Sequence, residues 1–409
     1  MTDQVLAGIR VLDFTERMQG PYGSQMLGDL GAEVIKVERV QALTPDGRPD
    51  ERYGANGRYG SDPEDSTFYP AGFLSANRNK KSITVDLKQA AGKEVIRRLV
   101  AVSDVVYENF RPGVMDRLGF GYADCAAITP SIVYASASGY GPDGPYARKP
   151  GQDVLAQAVG GFGAINVSGA GRPTPVGMSI TDVMGGMNGG FAVLAALYHR
   201  LNTGEGQHVH VSLLNSAIAA QSEQAVHFLN TDAGEPVRGT VMHAHPYIPP
   251  PYGFYATKDG YIALSSGRQV PQLCRLLGLP DLSKDPRFDD YWKRDRNRAE
   301  FEQLIEDALS QRTTAEWLPL MDAEDLFAAP VQSFAQTFAD PQVAHNKMVV
   351  EVDSPIGPLK LIAPAFTLTR TPATVRTAPP THGQHTEEIL ELAGYSPGET
   401  ATLREQGAV

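Results

Sequence analysis

Short apolar blocks rich in β-branched residues recur through the first half of the chain, and the stretches between them carry helical spacing. Ile9-Arg10-Val11-Leu12-Asp13-Phe14 predicts a strand. Gly20-Pro21-Tyr22-Gly23 predicts a turn leading into a helix through Met26, Leu27 and Leu30. Gly31 ends that helix, and residues 32–38 predict the next strand. A β-α-β unit of about thirty residues is the signature of a parallel sheet. The pattern continues with a basic turn at Asn79-Lys80-Lys81 leading into a strand toward Leu87 and a helix over 90–101. Further strands are predicted at 105–108 and 131–138.

An apolar, small-residue helix follows from Asp182 to about Leu201, then an alternating strand over 207–212 and a helix over 215–229. From about Arg238 the character changes. Residues 242–253 are proline-rich and stiff, and Phe254 to Leu264 predicts a hairpin around Asp259-Gly260. Helices are predicted near 269–277, 297–310 and 314–321, which makes a smaller α+β region. Residues 349–366 return to alternation, broken by Gly357-Pro358, and a last helix is predicted near 387–393. This C-terminal region is too thin for a core of its own and is expected to pack on the first domain. Residues 41–72 are polar and rich in Gly, Pro and Asp. They predict an excursion without regular structure, of a length that is usually functional or interfacial.

Composition narrows the function classes. With Lys+Arg 36 against Asp+Glu 47, the net charge is −11, which does not favour nucleic acid or an anionic membrane. The two cysteines, Cys125 and Cys274, form neither a CxxC nor a disulfide framework. With no visible signal peptide, that points to the cytoplasm. No run of 18 apolar residues occurs, so no membrane span is expected. No G-x-G-x-x-G follows the first strand, which speaks against a nicotinamide-dependent dehydrogenase. His208 and His210 share a strand face without a third ligand, so no metal site is expected.

Two features carry chemistry. Residues 139–190 are dense in glycine and close on Ser179-Ile180-Thr181-Asp182 at the start of the apolar helix. Asp182 there is either a nucleophile, held ionised by the helix dipole and free N–H groups, or only an N-cap. In addition, Arg39, Lys80, Lys81, Arg111 and Arg117 all follow or open predicted strands. They form either a site for an anionic ligand such as a phosphate or scattered surface charge.

The chain resembles the family III CoA-transferases over nearly its full length. The resemblance lies in LAGIRVLDFT, GPYGSQMLGDLGAEVIKVE, NRNKKSITVDLK, SDVVYENFRPGVMDRLG and PSIVYASASGYG. It continues in GQDVLAQAVGG, PVGMSITDVMGG, ALYHRLNTGEGQHVHVSL, HPYIPPPYGFYATKDGYIAL and the late GQHT. It implies an α/β fold with a Rossmann-like large domain built from both ends of the chain and an inserted smaller α+β domain. The corresponding boundaries are 1–230, 231–345 and 346–409. It also implies an interlocked homodimer. Asp182 matches the family's catalytic carboxylate. Arg39, Lys80, Asn109, Arg111, Arg117 and Leu118 match positions or the segment that hold coenzyme A, and Gln152 and Asp153 border the reaction centre, where the resemblance implies that they orient the substrate together with Met18 and Gln19.

The implied activity is transfer of coenzyme A from an acyl-CoA to a free carboxylic acid through aspartyl anhydride and aspartyl-CoA thioester intermediates. Coenzyme A is then a substrate and no cofactor is permanently bound. Backbone N–H groups around Gly185 and Gly186, or from the loop over 139–144, are candidate oxyanion donors. Two departures from oxalate-type members stand against oxalate as acceptor. Met18 occupies a position where they commonly carry Gln, with Gln19 adjacent, and Leu264-Ser265-Ser266-Gly267-Arg268 replaces a polyglycine loop. The alternatives are a 2-methylacyl-CoA racemase or epimerase on the same fold and a non-catalytic CoA-binding protein. A racemase of this fold carries His at the position of Gln152, thirty residues before the Asp; Gln has no titratable proton to replace it, which leaves Asp153 or a distant Glu as the substitutes that alternative requires.

Overall fold

The computed structural model describes residues 4–40, 71–167, 171–232, 234–355 and 357–409. The predicted excursion over 41–72 lies outside these residues except for its last two positions. In chain order the first elements are β1 (Arg10–Asp13), α1 (Gln19–Asp29), β2 (Glu33–Glu38), α2 (Ala71–Ala76), β3 (Lys80–Thr84) and α3 (Ala90–Ala101). Then come β4 (Val105–Glu108), α4 (Val114–Leu118), α5 (Tyr122–Ile128), β5 (Val133–Ser138), α6 (Asp153–Val159) and α7 (Phe162–Ile165). They are followed by α8 (Ile180–Thr203), β6 (His208–Ser212), α9 (Leu213–Ala220) and α10 (Ser222–Asn230). The helix expected over 215–229 is therefore two helices, parted at Gln221.

Strands β1 to β6 form one parallel sheet in the order β3-β2-β1-β4-β5-β6. That is the order of the doubly wound dinucleotide-binding fold, with its switch point between β1 and β4. Alternation along each strand fills two cores. Val11, Val34, Val105 and Val133 face α1 and α8. Leu12, Ile35, Val106 and Tyr134 face α3 and α5.

The remaining elements are β7 (Tyr252–Ala256), β8 (Tyr261–Ser265), α11 (Val270–Leu277), α12 (Tyr291–Arg296), α13 (Arg298–Leu309), α14 (Thr314–Ala323) and β9 (Ala328–Pro330). After them come α15 (Phe334–Ala339), α16 (Pro341–His345), β10 (Val349–Val352), β11 (Leu359–Ile362), α17 (Thr386–Leu392) and α18 (Pro397–Glu405). The chain divides into two compact units. One comprises Met1–Gly160, Gly177–Ala220 and Pro341–Val409; the other comprises Gly161–Val176 and Gln221–Asp340. In the second unit an antiparallel β7-β8-β9 sheet buries Tyr255 and Ile262 against Leu273, Phe301, Ile305 and Trp317. In the first, α17 and α18 bring Ile389, Leu390 and Leu403 into the core that contains α3. The terminal helix α18, begun by Ser396 and Glu399 as a reciprocal cap, was not among the predicted elements.

Helix α8 has 24 residues and is long and apolar enough to cross a membrane. Its inner face is instead occupied within the unit, because glycine lets α1 approach. A Cβ at Gly186 would overlap the Gln19 carbonyl, and one at Gly189 would overlap the Tyr107 hydroxyl. Tyr107 is fully buried, and its hydroxyl has no hydrogen-bond partner among the described residues. Tyr107→Phe is therefore expected to leave stability in urea unchanged or raise it, since it deletes an unsatisfied polar atom. Gly189→Val is expected to cost about 2–3 kcal/mol from overpacking. A Tyr107→Phe chain destabilised by more than about 1 kcal/mol would show that the hydroxyl has a partner after all.

Candidate active site

In sheets of this order ligands bind beyond the carboxyl ends of the strands, at the switch point. Here that crevice rests on a buried ion pair. Lys80, the first residue of β3, is fully buried, and its ammonium lies 2.9 Å from Asp13 Oδ2 at the end of β1. It also donates to the Pro21 carbonyl (2.9 Å), Ser24 Oγ (2.8 Å) and Asn77 Oδ1 (3.0 Å). Burial opposes the charge on Asp13, but Lys80 and Lys36 outweigh it and hold the carboxyl down at about 2. Burial draws Lys80 down to about 8, against the pull of Asp13. With four acceptors around it and no exposed side-chain surface, the Lys80 ammonium is engaged inside the fold and ties β3 to β1, α1 and Asn77. Lys81 of the anion-site pattern is engaged as well, because it pairs with Glu33 (2.7 Å) and Glu388 (2.5 Å).

The loops above this floor are tied to one another. Asn109, after β4, brackets Glu16: its Oδ1 accepts the Glu16 N–H and its Nδ2 donates to the Glu16 carbonyl, both at 2.7 Å. The Glu16 carboxylate pairs with Arg39, after β2, at 3.2 Å. Arg39, Glu16 and Asn109 thus join three adjacent strand ends. Arg111 and Arg117 are exposed on the β4 side, while Leu118 packs against the α3 core. Beneath Phe110 to Met115 lies a cavity of roughly 140 Å³ with Glu108, Ser136 and His208 in its lining. Burial pushes Glu108 up to about 7. His208, 2.9 Å from Ser136 Oγ, is pushed down to about 4 by burial and His210. Among the described residues no cluster of His, Cys, Asp or Glu could hold a metal ion.

Met18 is the N-cap of α1, and Gln19 is its first residue. The Gln19 amide lies over Gly185 and reaches toward the Ser138 carbonyl at the end of β5. After Ser138 the chain loops out and returns through a backbone pinch. A Cβ on either Gly139 or Gly151 would overlap the other glycine's Cα. That pinch delivers Gln152, exposed at the N-cap of α6, and Asp153, its first residue.

Asp153 reaches the tip of α8. Its Oδ1 accepts the Thr181 N–H (2.7 Å), the Thr181 hydroxyl (2.7 Å) and the Asp182 N–H (3.3 Å). Asp182 is the third residue of α8 and not its N-cap, which is Ser179. It is half-buried, and no described side chain bonds its carboxylate. Burial first, and the charge of Asp153 second, push Asp182 up to about 6. The expectation that free N–H groups stabilise its charge is therefore corrected, because Asp153 takes those of Thr181 and Asp182 and the Met178 carbonyl takes that of Ile180. Gly185 and Gly186 are the sixth and seventh residues of α8, beyond the four whose N–H groups lack an intrahelical acceptor. They serve the close approach of Gln19 and are not oxyanion donors.

A carboxylate that is still ionised at neutral pH, unclaimed by hydrogen bonds and beside a loop-lined crevice, is suited to nucleophilic attack. Comparison with known proteins gives the class of reaction. The family model described as CoA-transferase family III matches residues 6–386. This chain belongs to CoA-transferase family III. CoA transfer is the chemistry of that family, with acyl-CoA and a carboxylic acid as substrates. The chain is 35% identical to human (Homo sapiens) succinyl-CoA:glutarate CoA-transferase, covering 99% of this chain and 90% of the relative. It is 34% identical to the acetyl-CoA:oxalate CoA-transferase of Acetobacter aceti over 87% of this chain and 88% of that one. A crystal structure of a CAIB/BAIF family protein from Brucella suis superposes with a TM-score of 0.80 at 31% identity, covering 95% of this chain and 99% of that one.

Sequence reasoning missed Asp13, Ser24 and Asn77 around Lys80, and Thr181 and Gln157 around Asp153. A lone Asp in the apolar first strand was the one available signal for the buried pair. The raised Asp182 carboxyl has a consequence for stability. The folded chain keeps that proton to higher pH than the unfolded chain, so folding loses stability as pH rises from about 4 through about 6. Asp182→Asn is expected to raise the thermal midpoint by a few degrees at pH 7.5, with the gain shrinking as pH falls toward 4. A midpoint unchanged at pH 7.5 counts against the raised value.

Proposed function

We propose that the chain moves coenzyme A from an acyl-CoA to a free carboxylic acid through covalent intermediates on Asp182. The observation that carries this is the Asp182 carboxylate itself, half-buried at the tip of α8 and held near 6 by burial and Asp153. Its oxygen attacks the thioester carbonyl, the C–S bond breaks, and coenzyme A leaves as the thiolate. That thiolate attacks the aspartyl carbonyl of the mixed anhydride, releasing the donor acid and leaving an Asp182–CoA thioester. The acceptor carboxylate then displaces the thiolate to form a second anhydride. Thiolate attack on the acceptor's acyl carbon gives the new acyl-CoA and frees Asp182. Holding the thiolate nearby supplies the effective concentration these exchanges need.

Arg39, Asn109, Arg111 and Arg117 are assigned to the nucleotide end of coenzyme A, supported by their position on the loops after β2 and β4. Gln19 and Gln152 orient the reacting carboxylates, with Met18 beside them. Gln152 offers no titratable proton, which favours transfer over two-base racemisation. The acceptor is a small dicarboxylic acid, a choice supported by the names of the succinate and glutarate relatives. Met18, where oxalate-type members commonly carry Gln, is the reason not to choose oxalate. An interlocked homodimer is supported by exposed Phe191, Tyr198 and Leu201 on α8 and by exposed Val226 and Leu229 on α10. Light scattering of the purified chain is expected to give twice the 44.1 kDa chain mass, and a monomer at micromolar concentration would rule the dimer out.

Asp182→Ala is expected to abolish transfer while the chain still binds coenzyme A, and hydroxylamine with acyl-CoA is expected to modify the peptide bearing Asp182 in the unmodified enzyme. Turnover above a few per cent in Asp182→Ala would remove the nucleophile assignment. Binding without any exchange across a panel of succinate, glutarate, mesaconate, itaconate and oxalate would point to a non-catalytic binding protein. In the same assay kcat is expected to fall as pH drops through about 6, where Asp182 takes up its proton. Arg39→Ala is expected to raise KM for acyl-CoA more than it lowers kcat, as uniform binding is lost. An unchanged KM takes Arg39 out of the site.

A further inference from the structure

Asp153 is committed on both oxygens. Oδ1 holds the tip of α8, and Oδ2 accepts the Gln157 amide at 2.6 Å. Gln157, one turn along α6 and buried, also donates to the Met178 carbonyl at 3.3 Å, just before α8 begins. Neither oxygen is left to orient a substrate, the role expected from the sequence.

An acid in the first turn of a helix ordinarily turns back onto the free N–H groups there, which lowers its pKa and its reactivity. In this chain two carboxylates meet at one helix tip, and Asp153 has claimed the N–H groups of Thr181 and Asp182. Asp182 is left with burial and a like charge for company. Among the described residues, the other elements packed near the tip add no compensating cation. The first turn of α1 offers Met18, Gln19 and Tyr22 and no acid or base. The segment α9 carries no charged residue, and the ends of β5 and β6 offer Ser138 and Ser212.

We propose that Asp153 is the positioning residue of the nucleophile: it fixes the main chain of Thr181 and Asp182, and it destabilises ionised Asp182 relative to acylated Asp182. This rests on the nucleophile assignment above. When Asp182 bonds to the acyl carbon and the C–S bond breaks, the negative charge departs on the thiolate. The repulsion from Asp153 then disappears from the aspartyl group, in the anhydride and in the aspartyl-CoA thioester alike. Asp153 therefore draws the free enzyme toward its covalent forms without touching the substrate.

The test is Asp153→Asn, which keeps the shape and removes the charge. The acid limb of kcat is expected to move down by about one pH unit, and the hydroxylamine-trapped fraction to fall about tenfold, since one unit is a factor of ten. The dissociation constant for coenzyme A is expected to stay within about twofold, because no nucleotide contact changes. Asp153→Glu keeps the charge but displaces the carboxylate, so the acid limb is expected to stay in place while kcat falls. An acid limb and trapped fraction in Asp153→Asn equal to the unmodified enzyme overturn the proposal. If Asp153→Asn does not fold, Gln157→Leu, which loosens Asp153 from its own helix, is expected to lower kcat with coenzyme A affinity intact; an unchanged kcat there overturns it equally. Asp182→Ala run alongside separates the two assignments. Turnover persisting in that variant sinks the nucleophile, whereas its loss together with a normal Asp153→Asn sinks only the role of Asp153.

Discussion

A single buried ammonium supports the crevice. Lys80 Nζ joins β3 to Asp13 on β1, to Pro21 and Ser24 on α1, and to Asn77 just past α2. Removing one member of such a pair leaves an uncompensated charge inside the protein, at a typical cost of about 3–5 kcal/mol. The arrangement itself is set by Asn79, a non-glycine residue with φ at 60°. Its side chain donates to Asp29 and to the Thr374 carbonyl and accepts from Arg376 and Thr377. Strain in the residue before Lys80 is thus held by four hydrogen bonds. With the first turn of α1 anchored from below, Gln19 is presented to α8 from above.

The second constraint is close approach. Gly185, Gly186 and Gly189 on α8 lie against Gln19, Tyr22 and Tyr107, and Gly139 and Gly151 lie against each other. Packing at interior density leaves no room for a side chain at these points. The glycines that looked like loop material or oxyanion donors in the sequence therefore set distances. They bring the tip of α8, the first turn of α1 and the first residue of α6 into one neighbourhood, although they lie far apart along the chain.

The parallel sheet was legible because its strands are short apolar blocks, buried on both faces as Val11 and Leu12 in opposite cores illustrate, and are separated by stretches of helical spacing. The first turn of α1 was not legible, since Gly20-Pro21 reads locally as a turn, yet proline is well tolerated in the opening turn of a helix. The break at Gln221 was hidden because α9 and α10 have continuous helical character on either side. Asp182 could be singled out as a carboxylate near a helix start. What could not be read was which groups take the donors at that start, because the competitor, Asp153, is brought in by tertiary structure. The burial of Lys80 was hidden for the same reason in reverse: a basic residue after a turn signals exposure, and only the folded chain shows the carboxylate waiting for it.

The C-terminal segment has a consequence for synthesis. Ile389, Leu390, Leu403 and Ala408 are part of the core that also holds Ile83 and Val95. The Ala408 carbonyl accepts the Asp86 N–H, and the Gly407 carbonyl accepts the Gln89 amide. A ribosome adds roughly 5–20 residues per second, so the interval between the emergence of β3 and of α17 is on the order of 15–60 seconds. Throughout it, the sheet face that α3 and α5 pack on lacks the part of its cover that α17 and α18 supply. That uncovered part is a natural ligand for chaperones that hold exposed apolar surface, and the order of translation makes α17 and α18, which emerge long after β3, the helices that release it.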